Sequence, residues 1–123
     1  MEYKQDWLLR QIENISRLVA SLIFNTSTIT YEINDKINLS ETDMLYKEIS
    51  LLLRKNKICE AEDLLFRSLE ESNKDYLRLG IDFYQTINEL DDDKLKECNF
   101  SRKEIMEGLT DLLEIYKVPN FII

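Results

Sequence analysis

A chain of 123 residues with a net charge of −8, two Gly and one Pro fits one domain, with a core large enough to fold by itself. Its acidity argues against non-specific binding to nucleic acid or to anionic membranes, because both need surplus Lys and Arg to displace counterions. Few helix breakers beside abundant Leu, Ile, Glu and Lys favour an all-α fold of helices joined by short polar connections.

The first predicted helix runs from Asp6 to Phe24. At about 100° per residue, Trp7, Leu8, Ile12, Ile15, Leu18, Val19, Leu22 and Ile23 fill an arc of roughly 160°, and Leu9 and Ala20 widen it. An ordinary surface helix shows a stripe nearer 100°. This one is either a central core helix or a core helix whose surplus face is a subunit interface, with Trp7, Leu8, Gln11, Ile15, Leu18 and Leu22 as the candidate interface residues. An in-plane membrane helix fits poorly, since Arg10 and Arg17 are offset by Asp6 and Glu13. The same interruptions, and the lack of a basic leading region, match neither a signal peptide nor a membrane span.

From Asn25 to Leu39 the pattern turns β-branched, with Ile29, Tyr31 and Ile33 alternating with polar residues. A lone strand leaves its backbone unpaired, so the expectation is an extended connection laid across helices rather than a strand paired with a second chain. Ser40 and Asp43 then form a capping box that starts a helix carrying Leu45, Ile49, Leu52 and Leu53 on one face. Asn56 suits a left-handed stop, and a second helix is predicted from Ile58 to Ser72 with Ile58, Ala61, Leu65 and Leu69 on one side. The short joint makes the two antiparallel neighbours, and Ala61 allows close approach.

Leu45, Leu52, Asn56, Ala61, Leu65, Ser68 and Leu69 stand at a spacing that resembles a single tetratricopeptide repeat, over residues 42–72. The turn Gly and closing Pro of that pattern are missing. The whole chain also resembles a family of small, uncharacterised bacterial helical proteins. That likeness rests on Asp6-Trp7-Leu8-Leu9-Arg10-Gln11-Ile12, Glu60-Ala61-Glu62-Asp63-Leu64-Leu65-Phe66 and Phe100-Ser101-Arg102-Lys103-Glu104-Ile105. It implies a helical fold and carries over no catalytic residues.

A break at residues 73–75 precedes a helix from Tyr76 to Leu90, whose apolar residues cover about 200° of the wheel, as in a helix buried on most sides. Gly80 lies in that arc, where a close helix crossing would offset its cost of about 1 kcal/mol relative to Ala. Asp91-Asp92-Asp93 lacks the alternation, Gly turn and distal Glu of a calcium loop, and reads as the N-cap of a short helix, Lys94 to Cys98. Ser101 and Glu104 form a second capping box, with Phe100 and Ile105 as a hydrophobic staple, for a helix running to about Lys117 and closed by Pro119. The apolar tail, residues 120–123, is expected to pack back on the domain or a partner.

The chain has no His, which removes the commonest general base and the usual nitrogen ligand for zinc. Gly80 and Gly108 are isolated, so no phosphate loop can form. Cys59 and Cys98 have no partner spacing and read as reduced thiols of a cytoplasmic protein, Cys59 as a small buried hydrophobe.

Neither catalysis nor a cofactor or metal is expected. The expected object is one domain over 1–123, made of an N-terminal helix (1–24), a connection (25–39) and stacked helical hairpins (40–123), five to six helices in all. Its expected function is protein interaction, including homodimerisation through the first helix. The competing reading is a small-ligand or regulatory module with an apolar groove lined by Tyr76, Phe83 and Tyr84.

Overall fold

The computed structural model describes residues 2–118, with side chains from residue 5 onward. Pro119 and the apolar tail lie outside the described residues. Six helices follow one another: α1 Glu2–Phe24, α2 Glu41–Arg54, α3 Ile58–Ser68, α4 Lys74–Asn88, α5 Asp92–Glu97 and α6 Arg102–Ile115. The described residues contain no strand, so the fold is all-α.

The local signals set the helix ends. Ser40 accepts the Asp43 amide while the Asp43 carboxylate accepts the Ser40 amide, closing the capping box on α2. Asp91 takes the Lys94 amide at α5, and Ser101 takes that of Glu104 at α6. Asn56, Asn99 and Lys117 adopt left-handed backbone at φ 62°, 57° and 56°. Each is followed by a Schellman pair of backbone bonds, such as Lys57 N–H to the Leu52 carbonyl at 2.9 Å and Asn56 N–H to Leu53 at 3.0 Å. The chain thus stops helices with Asn or Lys where Gly is usual, and both its glycines lie inside helices.

Helix α3 ends at Ser68, earlier than the expected Ser72. The Ser68 hydroxyl turns back to the Leu64 carbonyl at 2.8 Å. Glu70 and Glu71 would place two negative charges at the negative end of the helix dipole, so the last turn is unwound. Asn73 caps α4 instead, accepting the Asp75 amide at 2.9 Å.

Helix α4 is the centre of the domain: α1 and α6 pack on it and on each other, and α2 packs on both α3 and α4. Helix α1 contributes Ile12, Ile15, Ser16, Val19 and Ala20 to the core. The Ser16 hydroxyl donates to the Ile12 carbonyl at 2.9 Å, so a small polar residue sits in the seam without an unmet hydrogen bond. At Gly80 an added Cβ would come within 2.6 Å of a Leu112 methyl, which is the expected close crossing of α4 and α6.

Residues 25–39 form the expected ordered connection. Gln85 of α4 donates to the Ile29 carbonyl at 2.8 Å, and the Tyr31 hydroxyl donates to Asp43 at 2.5 Å while its ring lies 4.9 Å from that of Tyr46. Arg78 of α4 holds the entry to this strap by stacking 4.5 Å over Phe24.

Asp82 of α4 is half-buried beneath the strap. Burial raises its pKa to about 6, opposed by the Tyr31 backbone amide and reinforced by Glu89. Between about pH 4 and pH 6 the folded protein therefore keeps a proton that the unfolded chain has released, so stability falls as pH rises through that window. Asp82→Asn should remove this decline and raise stability at pH 7 by about 1 kcal/mol, allowing for solvent screening at a half-exposed site. Urea midpoints at pH 4.5 and 7 in both proteins check it, and an unchanged pH slope in the variant would contradict it.

A buried polar junction joins four helices. Arg102, 2% exposed at the first turn of α6, donates to the Asn88 side chain and main-chain carbonyl at 3.1 and 2.5 Å, to the Leu90 carbonyl at 2.9 Å and to Asp92 at 2.8 Å. Asn88 in turn donates to the Leu9 carbonyl of α1 at 3.2 Å. A cation thereby meets the otherwise unpaired carbonyls that end α4, where the helix dipole is negative.

Candidate functional site

The wide arc of α1 divides into two parts. Residues near its centre and far edge enter the core, whereas Trp7, Leu18 and Leu22 remain 59%, 38% and 51% exposed. At about 100° per residue these three lie within roughly 60° of one another, with Gln11 between them, so they form one line along the helix. Of the six expected interface residues, Gln11 is half-buried within this line and Leu8 is half-buried beside it. Ile15 is 1% exposed and belongs to the core, which corrects its place in the interface. It stands near the centre of the arc, about 20° round the helix from Leu22 on the buried side.

Tyr76, Phe83 and Tyr84 do not line a groove together. All three are buried in the core, with the Phe83 and Tyr84 rings edge-to-face at 5.0 Å. Their helix is covered on several sides, as its 200° arc implies, and that coverage leaves no open wall for a ligand. Tyr76 borders a cleft of about 380 Å³ with Glu41, Met44, Glu48 and Glu70, and neither Phe83 nor Tyr84 lines it.

The Tyr84 hydroxyl donates to the half-buried Glu62 carboxylate at 2.5 Å. Burial is the main cause that raises the Glu62 pKa, the Tyr84 hydroxyl lowers it, and Asp63, Glu104 and Asp111 raise it through repulsion. Gly108 of α6 makes this junction possible, since a Cβ there would overlap both the Tyr84 hydroxyl and Glu62. Around it Glu62, Asp63, Glu104, Glu107 and Asp111 line an open acidic cleft of about 320 Å³. Yet among the described residues no group of three or more His, Cys, Asp or Glu side chains is placed to hold a metal ion.

Some of the other clefts border polar groups that are already engaged. The one between α1, the strap and α4, about 370 Å³, is bordered by Glu13, Arg17, Gln85 and Asn88, of which Gln85 and Asn88 hold main-chain carbonyls. Both cysteines are free: Cys98 is buried, but Cys59 is exposed, which corrects its reading as a core residue. It occupies the second position of α3, beside rather than on the Ile58, Ala61 and Leu65 face. Burial and the nearby Glu104, Glu62 and Asp63 raise its thiol pKa and keep it protonated, so it is a poor nucleophile. No helix among the described residues is long and apolar enough to cross a membrane.

Residues 2–117 match a protein family described as a family of unknown function (DUF6483). No curated protein and no solved structure matches the chain.

Proposed function

We propose that this chain, which belongs to the DUF6483 family of unknown function, is a non-catalytic protein-interaction module that self-associates through α1. The observation that carries the proposal is the line of Trp7, Leu18 and Leu22, left exposed on a helix that buries Ile12, Ile15, Val19 and Ala20 in the core. Exposed Trp and Leu on one rigid helix form a preorganised contact, and Trp is the residue type most often found as an interface anchor. Absence of His and a protonated Cys59 thiol favour binding over chemistry. Two free thiols agree with a cytoplasmic location.

The three side chains expose on the order of 300 Å² together, under half of the roughly 800 Å² per partner of a standard interface. The dimer is therefore weak, with a Kd on the order of 100 μM. Trp7→Ala and Leu18→Glu should each weaken it at least tenfold in Kd, or about 1.4 kcal/mol, while leaving the melting temperature within a few degrees because both residues are surface-exposed. Sedimentation equilibrium with parallel thermal unfolding reads both effects. Variants that unfold early yet associate as before would place Trp7 and Leu18 in the fold rather than the interface.

A further inference from the structure

We infer that the partner on this face is a second copy of the chain packed antiparallel, with Trp7 of one protomer against Leu22 of the other. The inference rests on self-association through α1 and specifies its geometry. The residues along the stripe are Trp7, Gln11, Leu18 and Leu22. Their numbers pair to a common sum, seven with twenty-two and eleven with eighteen, so a two-fold axis crossing α1 between Asn14 and Ile15 maps the stripe onto itself. A two-fold contact requires such self-complementarity. In it the large indole ring meets a Leu, and Gln11 covers the partner's Leu18 instead of facing another amide. A parallel pairing would stack Trp7 on its copy and Gln11 on its copy.

Charge favours the same occupant. Within α1, Glu2, Asp6 and Glu13 are balanced by Lys4, Arg10 and Arg17, so the entire −8 of the chain is carried by the rest of the molecule. Two strongly acidic protomers repel over most of their surfaces. Helix α1 offers an approach with no net charge of its own, so the second copy meets least repulsion there. A basic partner would instead be drawn to the acidic cleft around Glu62 and Glu104.

Cross-linking tests the geometry in the full chain. With the exposed Cys59 replaced by Ser and the buried Cys98 kept, Asn14→Cys and Ser21→Cys are each treated with a short bis-maleimide. Both positions are exposed on α1 next to the stripe. In the antiparallel dimer the two copies of position 14 lie beside the axis, within one residue of each other along the helix. The two copies of position 21 are about 20 Å apart along it. The expected result is a covalent dimer from Asn14→Cys, at least tenfold more than from Ser21→Cys.

Equal yields at both positions would show a parallel pairing and overturn the inference. A dimer by mass with no cross-link at either position would place the contact elsewhere and overturn both this geometry and the role of α1. A chain that stays monomeric by mass would remove self-association itself, which separates failure of the reading from failure of the geometry.

Discussion

Arg102→Met should lower the stability of the domain by about 3 kcal/mol, enough to drop the melting temperature of a chain this size by roughly 10 °C. Met follows the Arg stem only as far as Nε, so the loss combines stranded polar contacts with the buried space the guanidinium leaves. Removing the guanidinium strands the Asn88 and Leu90 carbonyls and the Asn88 amide oxygen in a buried junction. Unmet buried acceptors cost more than the hydrogen bonds contributed. Asp92 adds little, because its carboxylate is 54% exposed and regains water. Arg102→Lys should recover less than half of the loss, since one ammonium cannot reach three elements in the geometry of the planar fork. Chemical denaturation of the three proteins measures this, and an Arg102→Met variant as stable as wild type would show that the junction is incidental.

The two glycines should respond in opposite ways to the same substitution. Both lie in helices, where Ala is intrinsically better by about 1 kcal/mol. At Gly80 the obstacle is the end of a flexible Leu112 side chain, so Gly80→Ala should fall within about 1 kcal/mol of wild type. At Gly108 the methyl would overlap the Tyr84 hydroxyl and ring and the Glu62 carboxylate, which are tied to each other. Tyr84 is fully buried and cannot withdraw. Gly108→Ala should therefore cost about 2–3 kcal/mol net. Urea midpoints of the two variants decide it, and equal effects would mean that α3, α4 and α6 meet less tightly at Gly108 than their geometry requires.

What was legible in the chain was local. Ser40 with Asp43, Asp91, and Ser101 with Glu104 announce helix starts because each motif satisfies its own backbone within a few residues. Asn56 marks its stop for the same reason. The close crossing at Gly80 also followed from the cost of glycine inside a buried helix. Long-range features were not written in this way. Arg102 occupies a first-turn position that is normally solvated, and only the end of α4, folded back beside it, turns it into a buried cap. Glu62, Tyr84 and Gly108 come from three helices, and no periodicity links them.

The site was legible in outline and misjudged in detail. Periodicity located an apolar arc on α1 wider than one contact surface, but could not indicate which edge faces the core. Ile15 turned inward, and Trp7, Leu18 and Leu22 stayed out. The aromatic residues of α4 met the same ambiguity, because Tyr76, Phe83 and Tyr84 have the spacing of a pocket wall and of a core helix alike. Coverage by α1, α2 and α6 made them core.

The most direct test of the interaction reading is the mass of the unmodified chain in solution across a dilution series. Sedimentation equilibrium up to about 500 μM should show the average mass rising from the monomer's 14.7 kDa toward 29.4 kDa, twice that value, with the midpoint near about 100 μM. A mass that remains at 14.7 kDa throughout would contradict self-association through α1.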